Sequence, residues 1–184
     1  MEHINTLLQK LSSLYPFSDA FRETLRPLLT IKTFKRGQTL DLKEPAVLYY
    51  IIKGLAKGSY DDVEGKEHII RFWREKEVML IMHPVSESFT ITLLEDSDII
   101  YLTPRRLIYV YNRFADAPKL ASKLLAREQV MANVKIGLSS LSARQAYQEF
   151  KVLFPYRRIK LKDIASYLEI TPGTLSEIRR IEKL

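Results

Sequence analysis

The sequence contains no cysteine. That excludes disulfides, thiolate metal sites and cysteine nucleophiles, and it fits a reducing compartment. Histidine is scarce too: His3, His68 and His83 are too scattered along the chain to suggest a ligand cluster. Long apolar runs are missing, and the longest, "AVLYYII" at residues 46 to 52, falls far short of a membrane span. The opening "MEHINTLLQKLSSLYPF" begins acidic and holds no extended apolar stretch, so no signal peptide is expected. There is no glycine-rich phosphate loop, no nucleophile elbow and no pair of carboxylates at catalytic spacing. His68 falls in a predicted strand and His83 beside a proline, neither with an evident acid–base partner. The expectation is a cytoplasmic, non-enzymatic protein with no metal, no cofactor and no membrane partner.

What is present suits an ordinary globular core: 46% of the 184 residues are hydrophobic and 28% charged. The net charge of +7 is uneven. From Ser142 onward nine Lys/Arg stand against five Asp/Glu, a net +4, whereas the first 141 residues carry twenty against seventeen, a net +3. A basic excess gathered at one end is the electrostatic footprint of a nucleic-acid-binding module.

The apolar pattern changes character along the chain. Ile4, Leu7, Leu8 and Leu11, then Phe21, Leu25, Leu28 and Leu29, recur at helical spacing. From Ile31 short strands are predicted: "IKTFKRGQTL" with a turn at Arg36-Gly37, "AVLYYIIKGLAKGSY" broken at Lys53-Gly54, and the hairpin "SYDDVEGKEHIIRFW" with its polar tip at Asp61 to Gly65. "SFTITLL" and "SDIIYL" follow, parted by Glu95-Asp96. Half a dozen closely spaced strands suggest a sandwich or jelly-roll barrel. Thr103 and Pro104 then open a helix as cap and first residue. A longer helix is expected from about Asp116 to Leu138. Its Leu120, Leu124, Met131, Val134, Leu138 and Leu141 fall at alternating four- and three-residue steps around Arg127, a heptad seam interrupted by one charge. Such a stripe either packs on the barrel or pairs with a second copy. A long helix leaving a closed barrel has two faces to cover, which points to pairing. Gly137 and "GLSSLS" mark a hinge, and Ser142 with Gln145 makes a capping box for a helix ending at Pro155.

In the last 30 residues Leu161, Ile164, Ala165 and Leu168 line one short helix. Thr171-Pro172 restart the chain, and Leu175 and Ile178 line a second helix. Two short helices across a tight break form a helix-turn-helix, whose second helix normally enters the major groove. With "FKRGQTL", "LYYIIKGLAKGSY", "EGKEHIIRFW", "LSARQAYQEF" and "IKLKDIASYLEITPGTLSEIRR" on the page, the whole chain resembles a Crp/Fnr-type regulator. The resemblance is to the subgroup that ends near the recognition helix without a full wing. It implies an α+β fold with three parts: a cyclic-nucleotide-binding-like jelly-roll barrel at residues 1–115, a dimerisation helix and hinge at 116–141, and a DNA-binding helix-turn-helix at 142–184.

Two departures from that family shape the functional expectation. Cyclic-nucleotide-binding members hold the ligand with a Gly-Glu pair and a following arginine. The matching stretch here, "REKEVMLIMHPVSESFTI" at residues 74 to 91, has no glycine, and after Arg74 and Lys76 no arginine or lysine occurs until Arg105. A buried cyclic phosphate without a guanidinium partner loses its strongest contact, so a cyclic nucleotide is not expected. Glu77, His83, Ser86 and Ser88 are candidates for lining a pocket for another small-molecule effector; the alternative is a collapsed pocket with no ligand. On the recognition helix, Pro172, Gly173 and Glu177 occupy the positions that the resemblance assigns to base reading. The first two carry no hydrogen-bonding side chain, and the third replaces an arginine. Glu169 stands where the turn usually has glycine, at a cost of about 1 kcal/mol if the turn is kept. Lys160, Lys162, Thr171, Thr174, Ser176, Glu177, Arg179 and Arg180 are the predicted DNA-binding residues, with Arg157, Arg158 and Lys183 as further phosphate contacts. The expected function is a dimeric DNA-binding transcriptional regulator with a sensor barrel and RNA polymerase as a further partner. The alternative is a ligand- or partner-binding dimer whose helix-turn-helix no longer reads DNA.

Overall fold

The computed structural model describes residues 2–40, 42, 47–81 and 88–182. Helix α1 (Glu2–Leu14) buries Leu7, Leu8 and Leu11, as their spacing requires. Helix α2 (Asp19–Leu25) starts at Ser18, whose hydroxyl accepts the Phe21 N–H, and Pro27 turns its end into a short 3-10 segment. Among the described residues seven strands follow: β1 (Thr30–Phe34), β2 (Val47–Lys53), β3 (Leu55–Asp61), β4 (Glu67–Arg74), β5 (Val78–Ile81), β6 (Thr90–Leu93) and β7 (Ser97–Leu102). They form two antiparallel sheets, ordered β1-β7-β2-β5 and β4-β3-β6.

The sheets pack face to face and each also has a covered outer face, which explains why β2 reads as an unbroken apolar run. Alternate residues serve different cores. Tyr49 and Ile51 meet Ala56, Trp73, Ile91 and Leu93 between the sheets. Leu48 and Tyr50 point the other way, into a core shared with α1 and α2. Gly54, at the break between β2 and β3, has φ +123, and a β-carbon there would lie 2.0 Å from the Ser97 hydroxyl. The chain crosses between sheets at that point because only glycine fits.

Helix α3 (Pro104–Arg113) begins with Thr103 extended and Pro104 in its first turn, although the Thr103 side chain makes no capping bond. Helix α4 (Asp116–Ser139) is anchored by Asp116, whose carboxylate accepts from the Ser18 N–H (3.1 Å) and hydroxyl (2.7 Å). It runs unbroken through Gly137.

Most of the heptad stripe of α4 is covered by its own chain, while Leu141, past the end of the helix, is 41% exposed. Leu120 and Leu124 are buried with α1, α2 and the four-stranded sheet. Leu138 is buried in the C-terminal core, where Met131 and Val134 pack partly buried beside it. Each fully buried leucine contributes roughly 2 kcal/mol there, so the stripe is already partnered by its own chain. Of the exposed apolar residues of α4, Leu125 (43% exposed) and Ile136 (64%) share another face, and Val130 lies apart from them.

Helix α5 (Ala143–Leu153) has the expected capping box, with Ser142 and Gln145 bonded reciprocally. A 3-10 turn (Tyr156–Arg158) leads to α6 (Leu161–Tyr167) and α7 (Pro172–Ile181). Thr171 caps α7 by accepting the Thr174 N–H at 3.0 Å, with Pro172 at the first position. The core around α5, α6 and α7 does not stop at Ser142. It takes in Leu55, Ile69 and Phe72 from the three-stranded sheet, so the outer face of β3 and β4 is the floor on which the last three helices sit.

Candidate nucleic-acid interface and effector cavity

The apolar faces of α6 and α7 build the helix-turn-helix: Ile164, Ala165, Leu168, Leu175 and Ile178 are all buried. The opposite surface is free. Lys160, Lys162, Thr171, Pro172, Gly173, Thr174, Ser176, Glu177 and Arg180 are exposed, and Arg179 is half-buried. The turn between the helices places Glu169 at φ +59, the left-handed conformation anticipated from the missing glycine. Its carboxylate also pairs with Lys135 of α4 at 2.6 Å. On the reading face, Arg180 is forked onto Glu177, with Nε and a terminal nitrogen donating at 3.1 and 2.7 Å. Lys183 lies outside the described residues.

Arg158 is not available to phosphate. Its guanidinium donates to Glu75 at 2.6 and 3.1 Å and to both carboxylate oxygens of Glu95. Hydrogen bonds from Glu75 and Glu95 raise its pKa further above the ordinary arginine value. Arg157, by contrast, is exposed and bonds its neighbour Tyr156.

Further residues, absent from the predicted site, join the helix-turn-helix to the barrel. Lys57 of β3 (7% exposed) reaches Glu67 at 2.7 Å and Asp163 of α6 (2% exposed) at 3.4 Å. Burial alone would raise the Glu67 carboxyl, but hydrogen bonds from Lys57 and Ser59 outweigh it and hold the pKa below the ordinary value. Glu75 behaves the same way: burial opposes, and bonds from Arg158 and the Gly54 N–H prevail. The Ser166 hydroxyl donates to the Glu67 carbonyl (3.0 Å) and accepts the Ile69 N–H (3.1 Å), extending the edge of β4 into α6. Beneath these polar contacts, the Phe72 ring packs against Phe150, Phe154 and Tyr167 at centroid distances of 5.9, 5.7 and 5.3 Å. The signal for the polar links was a lysine inside an apolar strand and an acid, Asp163, at four-residue spacing from Tyr167 on the buried face.

Of the predicted effector residues, the two described ones, Glu77 and Ser88, lie apart. Glu77 pairs with Arg71 at 3.5 Å, near the end of β3 that starts with Leu55, and Ser88 bonds the Asp61 carbonyl at the other end. His83 and Ser86 lie outside the described residues. A cavity of about 630 Å³ instead opens between β4, β5 and α4, lined by Ile70, Trp73, Phe89, Leu125, Ala132 and Ile136 among others. Its one arginine on the sheet side, Arg71, is buried and already committed. Nε donates to Glu128 at 3.1 Å, a terminal nitrogen bonds the Phe72 carbonyl, and the guanidinium lies 5.3 Å from the Trp73 ring. Among the described residues no group of three or more His, Asp or Glu is placed to hold a metal ion, and no helix is long and apolar enough to cross a membrane.

No protein-family profile matches the sequence, and no curated protein does either. Solved structures do match. A protein from Eubacterium rectale assigned to the Crp/Fnr family of transcriptional regulators superposes with a TM-score of 0.73 at 15% identity, over 93% of this chain and 88% of that one. FixK2 from Bradyrhizobium japonicum gives 0.71 at 16% identity, over 83% of each chain. A cyclic nucleotide-binding domain containing protein from Listeria monocytogenes gives 0.64 at 17%, over 97% and 91%. The chain therefore has the fold of Crp/Fnr-type regulators, with a cyclic-nucleotide-binding-like sandwich, a long helix and a terminal helical module.

Proposed function

We propose that the protein is a dimeric DNA-binding transcriptional regulator whose barrel senses a molecule other than a cyclic nucleotide. The observation that carries the proposal is the helix-turn-helix surface. Ile164, Ala165, Leu168, Leu175 and Ile178 are buried, while Lys160, Lys162, Thr171, Thr174, Ser176 and Arg180 are exposed on the face that would meet a duplex. Cations and hydroxyls of this kind bind phosphates and give affinity and register. The short base-reading inventory argues for modest sequence choice. Arg180 is the side chain suited to guanine, and Glu177 holds its fork in place.

The sensor assignment rests on the cavity beside α4, whose walls are mainly apolar and whose buried Arg71 is neutralised by Glu128 and Glu77. A cyclic phosphate entering there would have to strip that arginine from two carboxylates. Pairing with a second copy is assigned to the exposed face of α4. Leu125, Gln129, Ala132 and Ile136 recur on it at four-, three- and four-residue steps. RNA polymerase is the further partner such a regulator calls for, in the compartment that holds the DNA.

Fluorescence anisotropy with random and genomic duplexes over a salt series tests the DNA claim. Binding that weakens steeply with salt supports it; no binding at low salt overturns it. A second reading, a ligand- or partner-binding dimer that has lost DNA reading, is favoured by Pro172 and Gly173 offering no side-chain hydrogen bond and by Glu177 tying up Arg180. Under that reading the parent is silent and Glu177→Arg creates DNA affinity.

A further inference from the structure

A groove of about 640 Å³ runs between the start of β4 and the helix-turn-helix. Lys66 and His68 stand on the barrel side; Lys162, Thr171 and Thr174 stand on the other. Its three carboxylates have partners within the protein, two of them sharing one lysine. Lys57 takes Glu67 and Asp163, and Lys135 takes Glu169. His68 is bonded to Asp62 at 2.7 Å. Lys66 and Lys162 are exposed, and among the described residues no carboxylate lies within ion-pair distance of either. Lys57 and Lys135 offset two of the three carboxylate charges, so with Lys66 and Lys162 the groove carries a net +1, and its exposed cations come one from each part of the fold. Thr171 and Thr174, hydroxyl to hydroxyl at 2.8 Å, lie at the end where the groove meets the exposed face of α7.

We propose that this groove is a seat for the phosphate backbone of double-stranded DNA, shared between barrel and helix-turn-helix, with Lys66 of the barrel as a direct phosphate contact. The inference rests on the DNA-binding reading above and adds two things to it. DNA touches the barrel, and the helix-turn-helix stays docked while it does so. Docking is favoured because release would return Phe72, Phe154, Tyr167, Leu55 and Ile69 to water and break the Arg158 grip on Glu75 and Glu95. It is also compatible with binding, since Thr174, Ser176 and Arg180 are exposed in the docked state. Asp61 and Glu64, exposed at the hairpin tip and outside the groove lining, repel phosphate and mark the edge of the footprint.

The test is anisotropy of a labelled 30-base-pair duplex, with the dependence of log affinity on log salt measured for each variant. Lys66→Ala should weaken binding several-fold at low salt and flatten the slope by about 0.9 for each groove engaged, the value for one lost phosphate contact. Lys162→Ala should do the same, and Lys66→Arg should retain both affinity and slope. Lys32→Ala, on β1 of the other sheet, should change neither. The Lys66 side chain is exposed, so circular dichroism should show these variants folded. If Lys66→Ala binds with the parent slope while Lys162→Ala loses affinity, the barrel is outside the interface: this inference falls and the DNA reading stands. If the parent and every variant fail to bind at low salt, both fall.

Discussion

At the residue scale, Tyr167 carries an unmet bond and Glu169 a strained backbone. The Tyr167 hydroxyl is buried without a hydrogen-bond partner among the described residues, and burial pushes its pKa up to about 12. Removing an orphaned hydroxyl costs nothing in hydrogen bonding. Tyr167→Phe should therefore leave thermal stability unchanged or raise it by up to about 1 kcal/mol, whereas Tyr167→Ala should lose roughly 3–5 kcal/mol by opening the aromatic cluster. Differential scanning calorimetry distinguishes them. Glu169 sits at φ +59 and gives only an exposed ion pair in return. Glu169→Gly should raise stability by up to about 1 kcal/mol, a gain of roughly 2–4 °C in Tm for a chain of this size. The need for a left-handed residue there was legible because the turn leaves one backbone conformation open. The pairing of Asp163 was not legible: its partner Lys57 is 106 residues away in the chain, and no local pattern joins them.

At the scale of elements, α4 shows where a pattern underdetermines a structure. Leu120, Leu124 and Leu138 would be spaced identically whether they packed on a partner helix or on their own sheets, since both environments select the same residue types. The fold gives those residues to the chain's own cores and leaves Leu125, Gln129, Ala132 and Ile136 outside. Two substitutions separate the faces. Leu124→Ala should cost 2–5 kcal/mol of stability by leaving a cavity, with association unchanged in whatever remains folded. Ile136→Glu should leave the melting of the monomer nearly unchanged and shift the species seen by analytical ultracentrifugation from dimer to monomer. A monomer in the parent protein at micromolar concentration would remove the pairing step. Gly137 has open space around its Cα, so Gly137→Ala should stiffen α4 and stabilise it by about 1 kcal/mol. Loss of DNA binding in that variant would mean the helix must bend there to function.

At the scale of the molecule, most of the strands, the capping of α5 and α7 and the helix-turn-helix were readable from periodicity and cap chemistry. The union of the two ends of the chain was not. Phe72 is an ordinary strand residue until its outer face meets Phe150, Phe154 and Tyr167. That union has a pH signature. Glu67 and Glu75, both at the junction, are held below their ordinary value of 4.5 in the folded protein. A carboxylate depressed by folding contributes stability that is present above its unfolded pKa and is lost as pH falls through the folded one. Thermal stability should therefore be flat from neutral pH to about 5 and decline below 4.5. The decline should be shallower in the double variant Glu67→Gln, Glu75→Gln, as scanned from pH 7 to pH 3.

The central claim is that the exposed face of the helix-turn-helix binds duplex DNA through its phosphates, and the salt dependence of that binding tests it most directly. The account predicts that log affinity for a random 30-base-pair duplex falls linearly with log salt concentration, with a slope set by several phosphate contacts, and that Lys162→Ala flattens it. Absence of binding at low salt, or an affinity indifferent to salt, would contradict it.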